Sequence, residues 1–186
     1  MRDKCMIVAE MSANHNGKKE TAIETVRAAK RAGADAVKLQ TYRADTITLR
    51  CDKPDFIINE GSIWDGQYFY DLYEQAYTPW EWHEELFHVA KEEGLICFSS
   101  PFDKTAVDML EALDCPVYKI ASFEITDIPL IEYAASKHKP MVLATGIATE
   151  EFNWLLKLAA EWEIMILRFL SVPLLIRLQL RKPIFV

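Results

Sequence analysis

Two lysines stand where lysine is rarely tolerated. Lys38 lies within AVKLQ and Lys119 within VYKIAS, runs that are otherwise apolar, and both take the same phase relative to the end of the run. A lysine in such a place must be paired or must face a solvated site. The repeat points to function: two cations for a phosphate or carboxylate substrate, or one Schiff-base lysine. Glu10 and Glu124 follow buried runs and suit acid/base work or the holding of substrate hydroxyls. The plainer reading is that they pair with those same lysines. Gln40 shares a run with Lys38, while Ser100, Ser122 and Thr145 bring hydroxyls to the ends of three runs. Hydroxyls there fit phosphate oxygens and equally fit the capping of the helices that follow.

Of the histidines, His15 in SANHNG is placed to meet a substrate or to order its loop. HEELFH sets His83 and His88 five apart rather than the four of a zincin, so they do not share a helix face. They read as surface and packing residues, and His138 in SKHKP as loop. No residues are assigned to a metal. The series Trp64, Tyr68, Phe69, Tyr70, Tyr73, Tyr77, Trp80 and Trp82 reads as packing beneath a long loop ahead of a sugar platform. Cys5, Cys97 and Cys115 lie in or beside apolar runs, as reduced core thiols do, and no CxxC spacing occurs.

The elements that must position these residues recur in order. CMIVAE is followed by a loop and by residues 18–33, where Ala22, Ile23, Val26, Ala29 and Ala32 repeat at helical spacing up to Gly33. AVKLQ, a long insertion and a helix from Pro79 to about Glu93 come next, then LICFSS and a helix from about Asp103 to Leu113. VYKIAS, a helix near Pro129–Ser136 and MVLATG complete the series. Short apolar runs without polar alternation are strands buried on both faces, hence a parallel sheet. The polar candidates gather at the C-terminal ends of strands, as at the mouth of a (β/α) barrel, and no GxGxxG or GxxxxGK[ST] follows the first strand. The expected fold class is α/β, a partial (β/α)8 TIM barrel of about five βα units. A closed barrel of about 250 residues needs eight strands, so the expected barrel is truncated.

The chain has 186 residues, 51% of them apolar, 26% charged and 11% aromatic, enough for an ordinary core. No apolar stretch is long enough for a membrane span and the N-terminus lacks a secretory pattern, which reads as cytoplasmic. Residues 1–151 carry a net charge of −10 and residues 152–186 carry +3. An acidic body argues against nucleic acid or an anionic membrane as the main partner.

Six blocks, IVAEMSANHNG, GADAVKLQTY, YTPWEWHEELF, SSPFDKTAVDML, YKIASFEITDIPLIEY and KPMVLATGIAT, resemble in this order the sialic acid synthase family. SANHNG, TPWEWH and KIASFEI are most similar to its pseudaminic acid synthase branch; N-acetylneuraminate enzymes tend toward GVNHNG-like and KIGSGEI-like forms. An N-acetylneuraminate or legionaminate synthase of the same family is the alternative. The resemblance covers residues 5–151. It implies an N-terminal (β/α)8 barrel, a small antifreeze-like domain and a homodimer. It also implies condensation of phosphoenolpyruvate with an open-chain amino sugar, with a divalent Mn²⁺ or Mg²⁺ that polarises the aldehyde, and release of phosphate. By position it assigns Lys38, Ser100, Lys119 and Ser122 to phosphoenolpyruvate, Glu10 to the carboxylate near its reacting carbon, and Gln40 and Glu124 to the sugar. One departure is Ala144, where the family usually has a serine that helps hold phosphoenolpyruvate.

The larger departure is the tail. Residues 152–186, FNWLLKLAAEWEIMILRFLSVPLLIRLQLRKPIFV, show no further βα unit, no metal-binding histidines and no antifreeze-like domain. The permitted codons read in a shifted frame allow IQLAVETCR, GNNDI and LKCTSAYPAPIEEANLR, the last of which resembles the family's continuation. The expectation is a one-base insertion or deletion near codon 151, an aberrant tail and an inactive chain; a coding DNA without a frame-restoring change sinks it. Two other functions remain open at this stage. One is a Schiff-base aldolase using Lys38 or Lys119, which borohydride trapping with a carbonyl substrate tests. The other is a non-catalytic half-barrel that binds or assembles, for which a defined oligomer of the purified chain is the test.

Overall fold

The computed structural model describes residues 5–144 and 166–169. The chain divides into two compact units at Cys115 and Pro116.

The first unit is built from βα steps. Strand β1 (Val8–Glu10) leads to helix α1 (Lys19–Arg31), and β2 (Ala36–Thr41) follows. The insertion holds α2 (Ala44–Ile47), a 3-10 turn at Pro54–Phe56 and α3 (Phe69–Ala76). Then come α4 (Trp80–Glu92), β3 (Ile96–Pro101) and α5 (Lys104–Ala112). Both pairings are parallel: Glu10 lies beside Lys38 in β1–β2, and Gln40 beside Ser100 in β2–β3. Helix α1 ends at Gly33, whose φ of +87° is a conformation that glycine adopts at no steric cost. Asp103 caps α5 by accepting from the Ala106 N–H at 2.6 Å.

The core of this unit decides which way β2 faces. Ala22, Val26 and Ala29 of α1 and Leu86, Val89 and Ala90 of α4 pack with Val37, Leu39, Met11 and Cys97. Successive strand residues alternate between faces, so Val37, Leu39 and Thr41 take the helix side. Lys38 and Gln40 are left on the other face. In the insertion, Tyr42 meets Tyr73 and Phe102 edge-on, with ring centroids 5.8 and 5.4 Å apart, and the Tyr70 hydroxyl donates to Asp45 at 2.8 Å. Of the aromatic series, Tyr70 and Tyr73 pack here, whereas Trp64 is exposed. Burial, reinforced by Tyr73, pushes the Tyr42 phenol up to about 12.

The second unit holds β4 (Tyr118–Ile120), a 3-10 turn at Glu124–Thr126, α6 (Ile128–Ala135) and β5 (Met141–Ala144). Asp127 caps α6 through the Leu130 N–H at 3.1 Å. Tyr118, Ile120, Ile125, Leu130, Ile131 and Met141 are buried. Strand β5 pairs in parallel with β4 and also with a sixth short strand, β6 (Ile166–Phe169). That strand lies in the segment where the sequence showed no further βα unit, because four residues of a long apolar run carry no periodic signal of their own.

Cys97 and Cys115 are buried as expected, whereas Cys5 is exposed: only three residues of its run, Val8–Glu10, enter the sheet. Among the described residues, no helix is long and apolar enough to cross a membrane.

Candidate active site

Glu10 and Lys38 occupy paired positions of β1 and β2, and their side chains form an ion pair between Glu10 Oε2 and Lys38 Nζ. The lysine side chain is 13% exposed and the glutamate 40%, so the pair sits at a wet margin. The other carboxylate oxygen, Oε1, accepts the Ser12 backbone N–H at 3.1 Å. Ser12 also donates its hydroxyl to the Gln40 Oε1 at 3.2 Å. The loop after β1 is anchored by the Met11 N–H, which donates to the Lys38 carbonyl at 3.0 Å.

Beside Gln40 stands Ser100, buried to 1% exposure, whose hydroxyl has no hydrogen-bond partner among the described residues. Buried hydroxyls are nearly always bonded, and leaving one unmatched costs about 1–3 kcal/mol. Such an atom on the face that carries Lys38 and Gln40 suits an oxygen-rich ligand. It does not cap α5, a role taken by Asp103.

The neighbouring Ser99 points the other way. Its hydroxyl lies 2.7 Å from Thr41 Oγ1, which lies 2.9 Å from His83 Nε2, and His83 Nδ1 lies 3.2 Å from the Pro79 carbonyl. A carbonyl can only accept, so Nδ1 carries the proton, Thr41 donates to Nε2, and Ser99 donates to Thr41. Burial lowers the His83 imidazole to about 4, against the pull of the Pro79 and Trp80 backbone and of Glu81. Of the pair read as surface and packing residues, His83 is the packing one, fully buried and within a polar network that the reading did not include. His88 is exposed and lies 3.2 Å from Glu92.

His15 is 1% exposed. Its Nδ1 accepts the Gly17 N–H at 3.1 Å, its Nε2 lies 3.4 Å from Thr78 Oγ1, and its ring meets Trp82 edge-on at 5.5 Å. Burial pushes its imidazole down, opposed by a backbone contact at Ala76. Both nitrogens are engaged within the fold, so His15 orders the SANHNG loop.

In the second unit, Lys119 lies in β4, and Ser122 and Glu124 follow that strand into the 3-10 turn. Glu124 Oε2 is buried without a hydrogen-bond partner among the described residues. Burial pushes its carboxyl above the usual range, against its own backbone hydrogen bond and the Lys119 charge. Thr145 and most of the tail lie outside the described residues.

A model of the NeuB family matches residues 25–167. The chain belongs to that family. Pseudaminic acid synthase of Campylobacter jejuni is 52% identical over 148 residues, which are 80% of this chain and 43% of the relative. N,N'-diacetyllegionaminic acid synthase of Legionella pneumophila is 37% identical over 144 residues, 77% of this chain and 40% of the relative. The crystal structure of an N-acetylneuraminic acid synthetase from Leptospira borgpetersenii superposes with a TM-score of 0.75 at 23% identity, over 88% of this chain and 53% of that one. The partial TIM-barrel fold expected from the strand pattern is that of these structures. This NeuB-family chain spans less than half the length of the curated relatives it matches. Lys38, Gln40, Ser100, Lys119, Ser122, Glu124 and Thr145 fall inside the family match, which runs past residue 151; Glu10 and His15 precede it.

Sequence reasoning missed Ser12 and the Thr41–Ser99–His83 network. For the network a signal existed, since Thr41 and Ser99 extend the polar ends of two strands. For Ser12 there was none.

Proposed function

We propose that this chain carries the N-terminal part of a pseudaminic acid synthase, which condenses phosphoenolpyruvate with a 2,4-diacetamido-2,4,6-trideoxy hexose and releases phosphate. The observation that carries the reading is the face of β2, where the Glu10–Lys38 pair, the Gln40 amide and the unmatched Ser100 hydroxyl stand on adjacent strands. The 52% identity to a pseudaminic acid synthase, against 37% to a legionaminic acid synthase, supports the branch.

In the proposed reaction, C3 of the enolpyruvate bonds to the aldehyde carbon, whose oxygen takes a proton. Water adds at C2 and the C2–O bond to phosphorus-bearing oxygen breaks, so one water is consumed and one phosphate released. Lys38 supplies a cation to the carboxylate or phosphate, and Ser100 donates its unused proton to an anionic oxygen. Glu10 stands by the reacting carbon, held by Lys38 and Ser12, and Gln40 takes the sugar. In the second unit, Lys119 and Ser122 are assigned to phosphoenolpyruvate, Glu124 to the sugar and Thr145 to a phosphate oxygen.

Among the described residues, no group of three His, Cys, Asp or Glu is arranged to hold an ion. No step above is routed through one. We infer that the 186 residues alone bind phosphoenolpyruvate without turning it over, and that the complete enzyme is a cytoplasmic homodimer. The Schiff-base reading is weaker for Lys38, whose Nζ is already engaged by the Glu10 carboxylate.

Calorimetric titration with phosphoenolpyruvate, followed by a phosphate-release assay with the sugar, tests this. Binding that weakens at least tenfold in Lys38→Met, with no phosphate released, is expected. Absent binding, or binding indifferent to Lys38→Met, overturns the site; phosphate release by the purified chain overturns its inactivity.

A further inference from the structure

Ser12 adopts φ +49°, in the left-handed region that L-residues other than Asn and Asp rarely enter. Glycine would adopt it freely, yet the position holds a serine, and strained non-glycine residues persist where their surroundings or a function require them. Both hydrogen-bond donors of Ser12 are used on the candidate site. Its N–H meets Glu10 Oε1 at 3.1 Å and its hydroxyl meets Gln40 Oε1 at 3.2 Å. Glycine would keep the first contact and lose the second, so the hydroxyl is what the strained backbone supports.

The geometry points to Ser12 as a positioning residue that orients the Gln40 amide, so that Gln40 meets a ligand with its N–H donors and selects an acceptor oxygen. Orientation is the whole question for a glutamine, because its two ends differ only in donor and acceptor character. The Ser12 hydroxyl could serve either end of the amide; in the fold it donates to Oε1, so Nε2 keeps both donors, and among the described residues nothing occupies them. An amide carbonyl or hydroxyl of a sugar fits those donors; a cation does not. The inference deepens the reading under Proposed function and rests on it for the ligand class, while the orientation of Gln40 is a property of the free chain.

The test uses the full chain labelled with ¹⁵N-glutamine, the Gln40 side-chain amide signals being assigned by their loss in Gln40→Ala. Ser12→Gly and Ser12→Ala are each expected to shift those signals, because both remove the hydroxyl. Ser12→Gly is expected to melt at or above wild type, by up to about 2–4 °C, since it relieves the left-handed backbone. Ser12→Ala keeps the strain and is expected to melt at or below wild type. Unmoved Gln40 signals overturn the inference, and so does a Ser12→Gly variant that melts below Ser12→Ala, which makes Ser12 a purely structural contact. Adding the 2,4-diacetamido-2,4,6-trideoxy hexose is expected to perturb Gln40 at least fivefold more weakly in Ser12→Gly than in wild type, with phosphoenolpyruvate binding kept. Equal perturbation overturns the selective role. If neither ligand binds any variant, the synthase reading fails, and the amide signals and melting temperatures still decide the role of Ser12.

Discussion

Gln40 and Thr41 are neighbours on β2, facing opposite ways into regions that treat polar groups differently. On the helix side, Thr41 links Ser99 to His83 and through it to the Pro79 carbonyl, and all three donors of that chain are matched. On the other side, among the described residues, Gln40 meets Ser12 alone, and Ser100 beside it keeps an unmatched buried hydroxyl. A filled polar network rigidifies a core, whereas an unmatched group costs stability and is kept where something else completes it. One strand thus carries a closed structural face and an open binding face, and the hydrogen-bond count separates them where residue type does not.

The sharpest way to break this comparison is His83→Ala. It leaves a cavity and two unmatched partners and is expected to cost about 3–4 kcal/mol in urea unfolding; a loss under about 1 kcal/mol removes the structural role of the network.

Acid reaches the same network without mutation. His83 is depressed to about 4 in the fold against 6.5 as the ordinary value. The unfolded chain then takes up a proton first as pH falls, so the stability due to the neutral buried ring is complete above pH 6.5 and is lost between there and about pH 4. The loss is about 3 kcal/mol at its limit, and His83→Gln is expected to flatten that part of the profile.

Ser100→Ala sharpens the contrast from the open face. Removing an unmatched hydroxyl is expected to leave stability within about 0.5 kcal/mol of wild type or to raise it slightly, while phosphoenolpyruvate affinity falls severalfold in titration. A clear destabilisation would place Ser100 with the closed face.

Glu124 provides the smallest test and the opposite sign. Burial raises its carboxyl from 4.5, so the fold favours the neutral acid. Its contribution is complete below pH 4.5 and is lost as pH rises through the raised value. Glu124→Gln is therefore expected to be the more stable form at pH 7, with the difference vanishing in acid.

Much of the fold was legible. The repeat of Ala22, Val26 and Ala29 marked α1, whose end at Arg31 falls just before Gly33, and Pro79 and Gly94 bracketed α4. Helix α2 was not, because four residues are too few to show a helical period, and α3 was passed over although Phe69, Leu72, Tyr73 and Ala76 recur at helical spacing, since its rings were read only as an aromatic series. The spacing of His83 and His88 correctly separated their faces, but not which face the core would bury. Ser12 was hidden altogether, since neither its conformation nor its partners leave a trace in residue order.

What the sequence by itself determined is local: which runs are strands, that Lys38 and Gln40 share a face, and that hydroxyls end the strands, because side-chain alternation has a period of two. What the tertiary structure alone decided is partnership. Ser12 meets Gln40 across 28 residues, and Thr41 meets Ser99 across 58. Strand register and helix packing set those meetings, and they follow from burying whole faces at once, which no short stretch of chain encodes.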